Sequence, residues 1–307
     1  MGKRNLSSRT HGPLYKPRYW LAWLVVAFLW LLGQIPVRFR SRISSSLARR
    51  LINSKSRRTR TIRRNISLCF PDLSEQDQSK LAEQNLAATL ACFFDFLDLV
   101  WKPAGYFNDQ CDVIGEEHLH RAIASGKPLL IVTGHFLSLV PSVIKLASLI
   151  PFNVVYRRMD NPVLQSQLFG RVIKKNNITA IHRKEIPHML KTLKDQGVVL
   201  ILPDQDFGTK RSTFVPFFGV STATITSIPQ YATATGANVL VFRSTRSGER
   251  SRMEIEPVLE NFPSGDDQVD TQRWSDWLED SIQQQPEDYL WLHKRFKTHP
   301  SGEAKRY

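Results

Sequence analysis

Four uncharged residues, Leu129 to Val132, followed by Thr133-Gly134-His135, constrain this chain more than any other stretch. The run is bounded by Pro128 and Gly134 and shows no polar alternation, so it reads as a strand buried on both faces. Such strands belong to parallel sheets covered by helices on either side. Residues 138–150, which follow, have helical spacing. His135 therefore stands at the carboxyl end of a buried strand, where open α/β sheets place ligands and chemistry.

The rest of the body repeats this alternation. Strands are expected at 152–156, 178–181, 198–202, 238–243 and near 253–257. Helices are expected at 162–175, 185–196, near 226–235 and from 272 to about 284. Upstream, Ser74-x-x-Asp77 can cap a helix running to about residue 100, with Leu81, Leu86 and Leu90 on its apolar side. The fold class is α/β, a mainly parallel sheet flanked by helices. No internal repeat, phosphate-loop motif or dinucleotide fingerprint is present.

Several strands end in polar residues: His135, Arg157-Arg158, His182-Arg183 and Asp204-Gln205-Asp206. In a parallel sheet these ends share one edge, which brings a base, cations and carboxylates together with the Lys210-Arg211 loop. His135 can act as a general base, or be a polar histidine satisfied beside its strand. Asp204 and Asp206 can orient a base, bind Mg²⁺ or turn a loop. Asp95 and Asp98 lie in the aromatic end of the long helix, where a carboxylate needs a partner, solvent or a place in the site. Arg157, Arg183, Lys210 and Arg211 suit phosphate or a developing oxyanion. No histidine accompanies the acids at metal-ligand spacing, so neither a metal nor another cofactor is expected. Residues 286–298 mix aromatics and cations. They either close over an anionic headgroup or clasp the last segment to the domain.

Charge separates the chain into parts. The first acidic residue is Asp72, and 16 of the 42 Lys and Arg precede it; the remaining 26 face all 28 acids. The net +14 is thus N-terminal, which argues against a nucleic-acid enzyme, whose folded body would also be basic. Between Arg18 and Arg38 runs a segment of about 19 uncharged, mostly apolar residues with Trp20, Trp23 and Trp30, close to the ~20 a membrane helix needs. A cleaved signal peptide lacks its small-residue cleavage site here, and a buried core helix leaves the basic flanks unexplained. A membrane anchor accounts for both features. The basic stretch 38–64, with apolar Ile43, Leu47 and Leu51 at roughly helical spacing, reads as an amphipathic helix on anionic lipid, expected over 41–65. The expected organisation is an anchor at 1–37, a basic surface segment at 38–70 and a catalytic domain at 71–307. Cys69, Cys92 and Cys111 form no metal or disulfide pattern and read as reduced thiols.

Six segments resemble one family. PRYWLAWL (17–24), LCFPDLSEQ (68–76), GHFLSL (134–139), PDQDFG (203–208), FVPFFGV (214–220) and PEDYLWLHKRFKTHP (286–300) are similar, in this order, to the bacterial lipid A late acyltransferases. These are the lauroyl, myristoyl and palmitoleoyl transferases of the lysophospholipid acyltransferase superfamily. The resemblance implies an enzyme of lipopolysaccharide biosynthesis at the bacterial inner membrane, with a single-pass N-terminal anchor and a cytoplasmic catalytic domain. It implies acyl-carrier protein as donor, a hydroxyl of a Kdo-lipid A precursor as acceptor, and anionic membrane lipids as surroundings. The family motif is H-x4-D/E, in which His takes the hydroxyl proton and the acid orients it. His135 matches the base. The acid's position holds Val140, so Asp95, Asp204 or Asp206 is expected to substitute for it. The alternative is a divergent paralogue that moves another carrier-bound group, such as an aminoacyl group, or one that binds lipid without catalysis.

Overall fold

A computed structural model describes residues 13–176 and 178–307. The basic Lys3, Arg4 and Arg9 lie outside the described residues. The N-terminal part is helical: a short 3-10 turn (Pro17–Tyr19), then α1 (Trp20–Gly33), α2 (Val37–Leu51), α3 (Arg57–Cys69) and the long α4 (Glu75–Trp101). Ser74 caps α4 by accepting from the Asp77 N–H at 3.1 Å, as its spacing suggests. The basic stretch forms two helices rather than one over 41–65. Residues 52–56 break it, and Ser56 starts α3 by accepting from Thr59 N–H at 3.1 Å.

The body then runs β1 (Cys111–Ile114), α5 (Glu116–Ala124), β2 (Leu129–Val132), α6 (Leu139–Leu149), β3 (Asn153–Tyr156) and α7 (Pro162–Leu164). A π-turn (Gln165–Gly170) joins α7 to α8 (Arg171–Lys175), followed by β4 (Thr179–His182), α9 (Ile186–Lys194) and β5 (Val198–Ile201). The remaining elements are β6 (Ser212–Phe217), β7 (Val220–Ile225), α10 (Ser227–Thr235), β8 (Asn238–Ser247), β9 (Arg250–Ile255) and α11 (Asp267–Gln284). The β6–β7 hairpin, β1 and α5 are elements that hydrophobic periodicity did not indicate. The hairpin turns on Phe218 and Gly219, both at positive φ, as a two-residue turn between twisted strands requires.

The seven-stranded sheet has the order β1-β9-β8-β2-β5-β3-β4. Strands β8, β2, β5, β3 and β4 are parallel, and β9 and β1 run against them. β2 lies in the middle with all four residues buried. Its alternate side chains enter two cores. Leu130 and Val132 join Val199, Ile201 and Val241 under the side of the sheet that carries Trp274, Leu278 and Trp291. Leu129 and Ile131 join Leu200, Leu240 and Phe242 on the side that carries Leu119 and Ile144. An uncharged four-residue run is what a strand with two apolar faces requires.

At the N-terminus, α1 exposes Trp20, Leu21, Leu24, Phe28 and Leu31. Its 14 residues rise about 21 Å, less than the ~30 Å hydrocarbon core. The chain bends by 111° between the Pro17–Gly33 and Val37–Leu51 helices. Among the described residues, no single helix is long and apolar enough to cross a membrane. The uncharged stretch is thus interrupted at Gln34-Ile35-Pro36 rather than continuing as one span. Arg40 holds this bend. Its guanidinium donates to the carbonyls of Ile35 (2.8 Å) and Gly33 (3.0 Å), and to both oxygens of Asp98 on α4 (2.5 and 3.0 Å). Asp98 is therefore an ion-pair partner of the N-terminal hinge.

Candidate active site

Parallel pairing sets the geometry. The register places Val132 opposite Ile201. His135 and Asp204 each lie three residues further on, so they emerge side by side at the carboxyl edge of neighbouring strands. Gly134 permits the tight exit from β2: a Cβ there would stand 2.7 Å from Leu278 Cδ1 on α11 and 3.3 Å from the Phe136 ring.

Asp204 is only 1% exposed and receives three hydrogen bonds. His135 Nδ1 lies 2.5 Å from its Oδ1, the His135 backbone N–H donates to Oδ2 at 2.7 Å, and Tyr289 Oη–H donates to Oδ2 at 3.0 Å. The ring's other nitrogen remains open, with the His135 side chain 31% exposed. The Gln205 side-chain amide is 3.5 Å from Nε2. Burial alone raises a carboxyl pKa, but the adjacent imidazole and the donated bonds outweigh it and hold Asp204 at about 2. For His135, burial works against the charged form, yet the Asp204 carboxylate prevails and raises its pKa. The result is an imidazole with a fixed tautomer, Nδ1–H toward the buried acid and Nε2 on the ring's other side, where the side chain is partly exposed. This is the arrangement of a general base.

The segment after α11 closes the site from behind. Leu137 N–H donates to Asp288 O at 2.6 Å, and Leu290 N–H donates to His135 O at 3.0 Å. Asn85 Nδ2 donates to the carbonyls of Glu287 and Tyr289 at 2.8 and 2.6 Å, tying this segment to α4. Ser138 Oγ donates to Asp288 Oδ2, and burial pushes the Asp288 carboxyl up to about 7. Trp291 and Phe296 are fully buried, and Arg295 reaches Ala223 O (2.8 Å) and Thr224 Oγ1 (2.7 Å). The C-terminal aromatics and Arg295 are a clasp, not a lid over a headgroup.

The other acids take different partners. Asp95 pairs with Arg246, and so is engaged away from His135. Asp206 folds its own loop, accepting from Gly208 N–H (2.9 Å) and Thr298 N–H (2.6 Å). Its N–H donates to His293 Nε2 at 2.9 Å. Of the three acids considered as substitutes, Asp204 is the one in contact with His135. Val140 stands in the first turn of α6, packed on the apolar cluster around Ile144. Among the cations, Arg157 is exposed with Asp160 3.9 Å away. Arg183 is exposed beyond β4, and Lys210 and Arg211 line a separate cavity. The described residues contain no cluster of three potential metal ligands. Tyr289, Gln205 and the Ser138–Asp288 pair were not singled out from sequence. Only the PEDYLWLHKRF segment's aromatic density marked the region, without saying which side chain faces Asp204.

The comparisons agree with one another. Residues 10–298 match the family described as bacterial lipid A biosynthesis acyltransferase. The chain is 34% identical over 299 residues to a lipid A biosynthesis lauroyltransferase of Escherichia coli K12, covering 96% of this chain and 97% of the relative. It is 30% identical to the palmitoleoyltransferase of the same organism, covering 95% of each chain. To the corresponding myristoyltransferase it is 24% identical, over 95% of this chain and 91% of the relative.

Proposed function

The chain belongs to the bacterial lipid A biosynthesis acyltransferases, and on that premise we propose that it transfers a fatty acyl chain from acyl-carrier protein to a hydroxyl of a Kdo-lipid A precursor, with His135 as general base. The observation that carries this reading is the Tyr289–Asp204–His135 chain, whose buried Tyr289 and Asp204 engage Nδ1 and leave Nε2 of the partly exposed imidazole for a substrate.

In this mechanism the acceptor hydroxyl gives its proton to His135 Nε2 as its oxygen attacks the thioester carbonyl carbon. The tetrahedral oxyanion collapses with cleavage of the C–S bond, and the leaving thiolate takes the proton back from Nε2. Asp204 keeps Nδ1–H pointed inward and balances the imidazolium charge that forms in between. The Gln205 amide can donate to the reacting oxygen. Arg157 and Arg183, exposed on the same sheet edge, are placed for anionic parts of the substrates. The exposed apolar side chains of α1 support its role as the N-terminal anchor at the inner membrane. The cations of α2 and α3, apart from Arg40 and Arg49, which pair with Asp98 and Glu83, then face anionic headgroups, and the sheet domain lies on the cytoplasmic side.

Asp204 stands at His135 in place of the acid missing at 140, which supports an active enzyme over a silent paralogue. Val140→Glu is accordingly expected to raise turnover by less than about tenfold, because Nδ1 is already committed, and to cost on the order of 1 kcal/mol by placing a carboxylate on a half-buried apolar face. Thermal melts and initial rates check both. A gain of about a hundredfold would show that Asp204 does not serve as the orienting acid.

The proposed reaction is tested with purified full-length protein in detergent, acyl-carrier thioester and Kdo-lipid A precursor. Mass analysis should show the precursor heavier by one fatty acyl group. No new product, or one carrying an aminoacyl group, would overturn the reading.

A further inference from the structure

A second cavity, of about 460 Å³, opens beside the loop that begins at Asp204. Its walls include Lys210, Arg211, Ser212, Ser227 and Tyr231, and no carboxylate lines it. Neither Lys210 nor Arg211 has an ion-pair partner among the described residues. The cavity holds the start of the nine-residue α10, which no side chain caps. The N–H groups of Ser227 and Ile228 hydrogen-bond to nothing described. Arg211 is held against this helix start: its carbonyl accepts from Thr226 N–H at 3.1 Å.

Two hydroxyls are unaccounted for. Ser227 is 7% exposed, yet its Oγ has no hydrogen-bond partner and lines the cavity. Ser212 Oγ is buried on the cavity wall and likewise unpaired. A buried hydroxyl without a partner costs free energy, so Ser212 Oγ implies a polar group that completes it, and the unpaired Ser227 hydroxyl stands at the same cavity. Two cations, two free helix-start amides and two hydroxyl donors, with no opposing acid, match the chemistry of a phosphate.

We propose that this cavity is a phosphate-binding cradle, in which Lys210, Arg211, the start of α10 and the Ser212 and Ser227 hydroxyls hold a phosphoryl group of one substrate while its reacting end lies at His135. Arg211 stands seven positions after Asp204, so the chain limits the distance between Asp204 and the cradle to about 25 Å at full extension. The phosphate belongs either to a phosphorylated acceptor lipid or to the prosthetic arm of the acyl carrier. The pairing with a substrate rests on the acyl-transfer reading; the phosphate chemistry does not.

Lys210 and Arg211 are exposed, so Lys210→Gln, Arg211→Gln and the double variant leave the core untouched, which unchanged melting temperatures verify. Inorganic phosphate titrated into the full-length protein in detergent micelles should bind, and the double variant should lose at least about tenfold in affinity, the size expected of charged hydrogen bonds. Phosphate that fails to bind, or binds the double variant equally well, overturns the cradle. That measurement stands even if the native protein transfers no acyl group, which would sink the acyl-transfer reading alone. In turnover, the double variant should raise one KM about 10- to 100-fold with kcat changed less than threefold. A rise for the acceptor places the lipid's phosphate in the cradle, and a rise for the acyl carrier places the arm's phosphate there. If neither KM moves, the cradle holds no substrate phosphate and the proposal fails.

Discussion

Asp204→Asn should slow acyl transfer roughly 10³- to 10⁴-fold on the plateau of the pH profile, and His135→Ala at least as much. The estimate follows from loss of the orienting acid of a histidine base, which costs about this much when the imidazole is left in the wrong tautomer. It corresponds to roughly 4–5.5 kcal/mol of transition-state stabilisation. The amide of asparagine can still meet the His135 backbone N–H and Tyr289, so the fold survives. What it loses is the charge facing Nδ1 and the certainty that Nδ1 carries the proton. The pair acts as a unit, so the double variant should be barely slower than His135→Ala alone.

The pH profile separates this from a structural defect. In the proposed mechanism the working base is the neutral imidazole. The Asp204 carboxylate raises the His135 pKa, so kcat/KM in the native enzyme should fall as pH drops through a midpoint above the ordinary 6.5 of histidine. In Asp204→Asn the charge is gone and burial, which lowers the pKa, is left alone. The midpoint should move to lower pH while the plateau drops. A profile with an unmoved midpoint would mean that Asp204 does not act through His135.

The second large effect is on stability. Arg40 and Asp98 have side chains only 8% and 4% exposed. Arg40→Ala strands the Asp98 carboxylate in the protein and frees the Gly33 and Ile35 carbonyls that end α1. Breaking one partner out of such a buried pair costs about 3–5 kcal/mol. Melting in detergent should therefore fall by on the order of 10 °C. Combining Arg40→Met with Asp98→Leu should recover most of the loss, because no charge is then left unpaired. A double variant as unstable as Arg40→Ala would show that the carbonyl bonds, not the ion pair, hold the hinge. The α1–α2 hinge orients the apolar face of α1, so Arg40→Ala should also weaken binding to anionic vesicles.

Much of this protein is written in local pattern. The uncharged run at 129–132 can only be a strand with two apolar faces. The alternation after it sets a mainly parallel sheet, and parallel strands put their polar ends on one edge. His135 as a candidate base, the N-terminal location of the excess charge and the family resemblance all follow from residues near one another in the chain. The hairpin of β6 and β7 escaped because its strands lack a clear apolar alternation, and β1 because Cys111-Asp112-Val113-Ile114 offers neither an unbroken apolar run nor an alternation.

The partner of His135 was not legible in this way. Asp95, Asp204 and Asp206 are the same residue type, and nothing in their local sequence says which one meets His135. What separates them is that β5 lies directly beside β2, with Val132 opposite Ile201. Register over residues almost seventy positions apart is a property of packing, and no local periodicity encodes it. The same holds for Tyr289, brought behind Asp204 by a segment that docks on α4 and on the chain at His135. The sequence alone determined that a histidine would stand at the carboxyl edge of a buried strand. Tertiary structure decided which acid touches it, because hydrogen bonds of 2.5–3.0 Å require three distant segments to be fixed by one core.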